Sequence, residues 1–154
     1  MIEIQPYSPD KAREVTNLFY AAVNGIADDV YSPQQKAVWA PEPVNYAAWA
    51  ARLAQTQPFL AICAGAVVGF MELEADGHID CTYTHPEFQG RGVASMLYAY
   101  LETEAIRKGI GRLYVEASIV AKPFFSKLGF TEVKQNTLQR QGVELVNYSM
   151  EKQL

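Results

Sequence analysis

Hydrophobic and polar positions along the chain change period several times, and each change predicts a boundary between structural elements. Residues 2–7 alternate apolar and polar side chains, which is typical of a short strand. A helical stripe follows over residues 8–23, because apolar residues recur there every three or four positions. Residues 24–46 are irregular apart from one helical turn after Ser32, and another short helix is predicted to begin at its cap Asn45.

The middle of the chain switches to a pattern typical of strands. The runs PFLAICA, AVVGFMELEA and HIDCTYTH cover residues 58–64, 66–75 and 78–85. The turn-forming pairs Ala-Gly and Asp-Gly, at 64–65 and 76–77, separate them. This arrangement predicts an antiparallel meander of three strands.

Helix and strand patterns alternate in the second half. A helix closes at Gly109, a strand covers 112–118, a short helix ends at Gly129, and a last hairpin turns at 140–142. The apolar face predicted for the first of these helices is Val93, Met96, Leu97, Tyr100, Leu101 and Ala105. The element order predicts an α/β fold with a mixed, mostly antiparallel sheet and helices on both faces. No repeat or linker is found, so residues 1–154 are expected to form one domain.

Composition narrows the class of protein. The chain has 154 residues, of which 49% are hydrophobic and 19% charged, as in globular proteins. Its net charge of −4 argues against nucleic-acid binding and is compatible with a cationic small substrate. Cys63 and Cys81 lie in apolar runs and are typical of buried thiols in a reducing compartment, so no metal site is expected. No signal peptide or membrane-spanning run is found, and a cytoplasmic location without membrane attachment is expected.

The stretch QGRGVAS, residues 89–95, places two glycines at the start of a helix. A helix start offers unpaired N–H groups and partial positive charge, and small residues let an anion approach the main chain. We interpret this loop as a diphosphate cradle, with amides from Gly90 to Ser95 as donors and Arg91 as counter-charge. The alternative is a tight turn without a ligand. The P-loop pattern is absent, and the dinucleotide fingerprint lacks its third glycine.

The residues around this loop resemble the GCN5-related N-acetyltransferase (GNAT) family. The resemblance covers HPEFQGRGVASMLYAYLE, the next strand, and AKPFFSKLGF. Gln89, Gly92 and Ala94 match the family motif Q/R-x-x-G-x-G/A, and Leu128 to Phe130 match the end of the following short helix. The segments DVYSPQQKAVWAP and VELVNYSMEKQL are similar to a bacterial branch with uncharacterised members.

The resemblance implies acetyl-CoA as co-substrate and a sheet that splays between its fourth and fifth strands. The gap would admit the thioester, and an amine acceptor of a small molecule or peptide would enter from the opposite side. The cofactor-binding residues expected on this basis are Thr82, Tyr83, Thr84, Gln89, Gly90, Arg91, Gly92, Val93, Ala94, Ser95, Ser118 and Phe125. The resemblance also leaves a homodimer possible, because relatives often pair through their sheets or last hairpins.

Direct transfer to an amine needs a base, because an alkyl ammonium with a pKa of about 10 must first lose a proton. The family's frequent proton donor to the leaving thiolate is a tyrosine, and the matching position here is Phe125. Tyr83 and Glu116 are therefore the catalytic candidates. The alternatives are that Tyr83 is a packing residue and that Glu116 pairs with a lysine such as Lys122.

Other polar residues are weaker candidates. Tyr31 and Trp39 are the expected substrate-binding residues, since aromatic rings suit a cationic amine, although packing in the core is an alternative. Asp28 and Asp29 are more typical of a solvated loop, and His78 is expected in solvent. Glu72 and Glu74 alternate with apolar residues as in any half-exposed strand.

The expected function is N-acetyl transfer from acetyl-CoA to a primary amine by direct attack in a ternary complex. Three alternatives remain open at this point. One is a non-catalytic acyl-CoA-binding module for sensing or assembly, which Phe125 favours. Another is the same fold with a bulkier acyl group or an alcohol acceptor. The third is a structural domain whose glycines only form a turn.

Overall fold

Seven strands form one sheet in the computed structural model, which describes all 154 residues. The strands are β1 (Ile2–Pro6), β2 (Phe59–Cys63), β3 (Ala66–Leu73), β4 (His78–Thr84), β5 (Arg112–Ala117), β6 (Thr131–Arg140) and β7 (Val143–Gln153). The helices are α1 (Ala12–Asn24), α2 (Pro33–Trp39), α3 (Tyr46–Thr56), α4 (Val93–Arg107) and α5 (Lys122–Lys127). None of these helices is both long and apolar enough to cross a membrane.

The order across the sheet is β1-β2-β3-β4-β5-β7-β6, with the predicted meander in its first half. All neighbours are antiparallel except β4 and β5. These two strands pair in parallel only at His78–Tyr114 and Ile79–Val115. The rest of β4 has no partner on that side, so the sheet opens there. This confirms the mixed sheet and the splay between the fourth and fifth strands.

Helices pack on both faces of the sheet, as predicted. α4 and α5 cover one face with side chains such as Leu97, Leu101 and Phe125, and α1 and α3 cover the other. The predicted apolar face of α4 is wrong at two positions, Met96 and Tyr100, which are 39% and 38% exposed. The buried residues of α4 are Val93, Leu97, Tyr98, Leu101 and Ala105. Compared with the prediction, the helix face that contacts the sheet is rotated toward Tyr98.

Gly69 on β3 positions the start of α4. A Cβ at Gly69 would lie 2.7 Å from Val93 Cγ1 and 3.2 Å from the Tyr83 carbonyl oxygen. Only glycine therefore lets the first turn of α4 pack against the sheet this closely. The glycine-containing loop of residues 89–95 is thereby held beside the open edge of β4.

Candidate active site

Two cavities lie at the opening between β4 and β5. The first, the loop cavity, has a volume of about 300 Å³ and lies at the start of α4. The second, the aromatic cavity, has a volume of about 320 Å³ and lies between α2, β4, β5 and the β6–β7 hairpin. Thr82 and Ala121 line both cavities, so the two adjoin each other where the strands separate.

Main-chain atoms of two glycines form part of the wall of the loop cavity. Gly90 and Gly92 have φ values of +77° and +79°, in the left-handed region that favours glycine. A Cβ at either position would have no neighbouring atom within 4 Å, so the space above the main chain is open. Gly92 is also the N-cap of α4, whose first N–H groups have no partners within the helix. This surface suits a diphosphate.

Thr82 supplies a second indication of a bound group. Its hydroxyl is buried and makes no hydrogen bond within the protein. An unsatisfied buried hydroxyl costs about 1–3 kcal/mol, so a partner outside the protein chain, such as a water or a ligand, is expected here. The orphan hydroxyl and the open glycine loop together fit the diphosphate and amide-bearing chain of the co-substrate that the resemblance implies.

The structure separates the predicted cofactor residues into groups. Eight of them line the loop cavity: Thr82, Thr84, Gln89, Gly90, Gly92, Val93, Ala94 and Ser95. Tyr83, Ser118 and Phe125 line the aromatic cavity instead. The Arg91 guanidinium lies 4.9 Å above the centre of the Phe88 ring and is not part of either wall.

Tyr31 and Trp39, the predicted substrate-binding residues, line the aromatic cavity. The Tyr31 hydroxyl accepts from Ile119 N at 2.9 Å and donates to Val146 O at 3.2 Å. These bonds tie the segment before α2 to β7 and to the turn that follows β5. The two hydrogen bonds therefore fix the position of Tyr31 in the cavity wall.

Tyr83 joins this wall from β4. Its hydroxyl accepts a hydrogen bond from Trp39 Nε1 at 3.0 Å. Burial raises the pKa of Tyr83 well above its usual value near 10, so its hydroxyl stays protonated at working pH. Phe125, on the opposite wall, is 1% exposed and offers no proton.

Ser118 has a local bonding partner. Its hydroxyl accepts from Ala121 N at 3.1 Å, which stabilises the turn into α5. Asp28, one of the weaker candidates, pairs with Lys36 Nζ at 2.7 Å, and this ion pair accounts for it structurally.

Glu116 lines the aromatic cavity, but its partner is not Lys122, and that alternative is wrong. Lys122 instead pairs with Glu132 at 2.5 Å. Glu116 Oε1 lies 2.7 Å from His78 Nε2. The expectation that His78 lies in solvent is also wrong, since its side chain is only 16% exposed. The cause is the parallel pairing of β4 with β5, which brings the two residues together.

Glu72 corrects another expectation. It is fully buried rather than half-exposed. Its carboxylate accepts from Arg52 Nη2 at 2.6 Å, Thr56 Oγ1 at 2.7 Å and Cys81 N at 3.2 Å. Burial raises the pKa of Glu72, although these donors oppose the shift. Arg52 also donates to Asp80 at 2.9 Å, so the buried carboxylate helps to hold Asp80 at the cavity wall.

Sequence reasoning missed several lining residues. Asp80 could have been predicted from the sequence. It lies two positions before Thr82 on the predicted strand, and residues two apart on a strand lie on the same face of the sheet. The hairpin residues of the aromatic cavity could not have been predicted in this way, because only the long-range pairing of β7 with β5 brings them to the site. They are Leu138, Arg140, Leu145, Val146 and Asn147.

Known proteins share this architecture. A family model described as the acetyltransferase (GNAT) domain matches residues 27–152. YafP of Escherichia coli strain K12, an uncharacterized N-acetyltransferase, is 36% identical over 149 residues, which are 97% of this chain and 94% of YafP. A GCN5-related N-acetyltransferase (aminotransferase, class-II) from Rhodopseudomonas palustris has a crystal structure with a TM-score of 0.92 and 36% identity, covering 99% of this chain and 95% of that one.

A more distant neighbour is the PaiA N-acetyltransferase of Thermoplasma acidophilum, solved in complex with coenzyme A. Its TM-score is 0.77 at 18% identity, with coverage of 100% of this chain and 99% of that one, so it shows the shared fold alone. The mixed α/β sheet of this chain, with its parallel β4–β5 pairing and flanking helices, matches the fold of these structures. The chain belongs to the GNAT acetyltransferase family. This confirms the resemblance based on the QGRGVAS loop and the LGF helix end.

Proposed function

We propose that this protein transfers an acetyl group from acetyl-CoA to a primary amine of a small molecule or peptide, by direct attack in a ternary complex. The observation that carries the proposal is the contact of two cavities at Thr82 and Ala121. One cavity suits an anionic carrier and the other suits an amine. Reactants placed in them would meet in the opening between β4 and β5.

The loop cavity is the proposed acetyl-CoA site. Residues 89–95 would hold the diphosphate through main-chain N–H groups, and the free edge of β4 at residues 82–84 would pair with the amide-bearing arm. Bound acetyl-CoA supplies a thioester carbonyl that is open to attack. The coenzyme A complex of the Thermoplasma relative supports this assignment.

The aromatic cavity is the proposed acceptor site. Tyr31, Trp39 and Tyr83 line it, and aromatic rings suit a cationic amine, while Asp80 and Glu116 supply carboxylates. Glu116 is the proposed base that removes the ammonium proton. Tyr83, whose raised pKa keeps its hydroxyl neutral, is the proposed hydrogen-bond donor that stabilises the leaving thiolate.

The test is to incubate the protein with acetyl-CoA and a panel of alkyl amines, amino acids and peptides, and to identify acetylated products by mass spectrometry. Formation of an N-acetyl product together with free CoA supports the proposal. The position of Phe125, which offers no proton, favours one alternative, an acyl-CoA-binding module without turnover. Acetyl-CoA binding with no product from any amine would favour that alternative.

A further inference from the structure

Glu74, His78 and Glu116 form a line of three side chains at the parallel end of the β4–β5 pairing, here called the acid–histidine chain. His78 Nδ1 lies 2.5 Å from Glu74 Oε1, and His78 Nε2 lies 2.7 Å from Glu116 Oε1. Glu116 lines the aromatic cavity, whereas Glu74 does not and is 49% exposed. Glu116 is itself 42% exposed, so both carboxylates reach solvent and His78, at 16%, is the least exposed of the three.

The two contacts set the proton content of the imidazole. A neutral histidine has one N–H donor and one acceptor nitrogen, whereas a carboxylate only accepts. Both contacts are satisfied only when the site holds one proton more than a neutral histidine and two carboxylates. Burial lowers the pKa of His78, but the hydrogen bonds and charges of Glu74 and Glu116 outweigh it, so the pKa is raised above its usual 6.5.

The other groups around His78 favour the same state. The His78 backbone N–H donates to Asp76 Oδ1 at 3.1 Å, and the Tyr114 ring lies 4.8 Å from the imidazole, centre to centre. The titratable and charged groups facing it are Glu74 and Asp76 before β4, Asp80 on β4, and Tyr114 and Glu116 on β5. The nearby cations are engaged elsewhere, Arg52 with Glu72 and Asp80 and Arg112 with Glu151.

We propose that His78, held by Glu74, receives the proton that Glu116 removes from the acceptor ammonium group. This rests on the proposed function. The N–H bond of the ammonium breaks, its electron pair stays on nitrogen, and the proton binds a Glu116 carboxylate oxygen. In the form that accepts this proton, His78 is neutral, with its one proton on Nδ1 and a free lone pair on Nε2. The Glu116 O–H bond then breaks as the proton moves to His78 Nε2. The resulting imidazolium, in which both contacts are satisfied, loses one proton to solvent before the next cycle.

The reason for such a relay is the mismatch between donor and base. A carboxylate is in general a much weaker base than an alkyl amine, so a proton taken from the ammonium group is passed on readily to a stronger base. A base works best when its pKa lies near the working pH, and a histidine between two carboxylates meets that condition. His78 exchanges a proton with Glu116 and does not contact the substrate, so it is a positioning residue rather than a catalytic residue.

The first experiment is an NMR titration of the imidazole ring protons. The chain has two histidines, so His85 serves as an internal reference and His78→Gln assigns the signals. We expect His78 to titrate above pH 6.5, and Glu74→Gln and Glu116→Gln each to lower that midpoint while His85 is unchanged. A His78 midpoint that neither substitution moves would overturn the relay whatever the activity.

The second experiment measures kcat/KM against pH with an acetylated amine from the panel. We expect the acidic limb of the wild type to follow the His78 midpoint, and His78→Gln to lower kcat/KM about 100-fold near neutral pH. This loss shrinks at alkaline pH, where free amine is abundant. Glu74→Gln moves the acidic limb to lower pH, and an unchanged acetyl-CoA affinity shows that each variant is folded.

Glu104→Gln is the matched control, because Glu104 pairs only with Arg107 on the outer face of α4. It should leave the whole profile unchanged. Wild-type turnover combined with an unchanged profile in His78→Gln would overturn the relay alone. A wild type that acetylates no amine would overturn the proposed function and the relay with it. If His78→Gln does not fold, Glu74→Gln tests the relay instead, through the expected movement of the acidic limb of its kcat/KM profile to lower pH.

Discussion

Trp39 donates its indole N–H to the Tyr83 hydroxyl at 3.0 Å, which joins α2 to the free part of β4. Because Tyr83 is the acceptor in this bond, its own proton remains available for another partner. Both residues line the aromatic cavity beside the opening in the sheet. The bond thus fixes the orientation of a neutral hydroxyl at the place where an acyl group and an amine would meet.

Tyr83→Phe should lower kcat by about 100-fold and leave acetyl-CoA affinity unchanged, because it removes a hydrogen-bond donor and keeps the ring. Steady-state kinetics and a binding titration measure the two effects. Tyr98→Phe is the control, since the Tyr98 hydroxyl donates to Glu102 and Tyr98 lines neither cavity. Equal kcat values in Tyr83→Phe and the wild type would remove Tyr83 from the mechanism.

Gly92→Glu should abolish acetyl-CoA binding, because it places a negative side chain in the space proposed for the diphosphate. In the wild type, a ligand at about 100 times its Kd adds about 2.7 kcal/mol, or roughly 5–10 °C in Tm. Thermal unfolding with and without acetyl-CoA measures the shift. Gly109→Glu is a matched control with a φ of +77° and equally open space, and it should keep the full shift. Retention of the shift in Gly92→Glu would place the diphosphate elsewhere.

Thr82→Val should separate binding from stability. Removing an unsatisfied hydroxyl leaves the free protein as stable or up to about 1 kcal/mol more stable, while acetyl-CoA affinity falls about 5–10-fold. Urea unfolding and a binding titration test both. Thr16→Val is the contrasting control, because Thr16 is buried but its hydroxyl donates to Ala12 O at 2.8 Å, so it should lose stability and keep affinity. A Thr82→Val protein that loses stability without losing affinity would contradict the assignment.

Arg52→Met should destabilise the fold by about 3 kcal/mol near pH 7.5, because it leaves Glu72 charged and buried. This lies at the lower end for buried pairs, since Arg52 is itself 32% exposed. The folded pKa of Glu72 is raised above its unfolded value, and losing Arg52 raises it further. The loss therefore grows as pH rises through the folded pKa and is smaller near pH 5.

Urea unfolding at the two pH values tests this, with Glu72→Gln added to relieve most of the loss. Arg107→Met provides the comparison, because Arg107 pairs with Glu104 at 2.6 Å on the surface and its loss should change stability far less than Arg52→Met. A destabilisation by Arg52→Met that does not vary with pH would show that the guanidinium stabilises by packing rather than by neutralising Glu72.

Local signals predicted the strands and the loop well. The Ala-Gly pair at 64–65 forms a turn because both residues take positive φ, and Asn45 caps α3 by accepting from Ala48 N at 3.0 Å. Such features depend on neighbours within a few residues, which the sequence displays directly. The glycines at 90 and 92 belong to the same class, since their backbone conformation is set within one turn.

Long-range features were missed for the opposite reason. Glu72 shows the same alternation as an exposed strand residue, and only the packing of α3 over β3 buries it against Arg52. His78 and Glu116 are 38 residues apart, and nothing in their local sequence indicates a contact. Arg140 reaches the aromatic cavity because β7 pairs with β5 and brings the hairpin across the opening.

The sequence by itself determined the period of each element, the turns, the glycine loop at the start of α4 and the family to which the chain belongs. These follow from backbone preferences and side-chain spacing over short stretches. The tertiary structure alone decided which groups share the site: the buried Glu72, the acid–histidine chain and the hairpin wall. The packing of α3 over β3 buries Glu72. The acid–histidine chain and the hairpin wall depend on the pairing of β5 with β4 and with β7, which also sets where the sheet opens and which distant side chains face the gap.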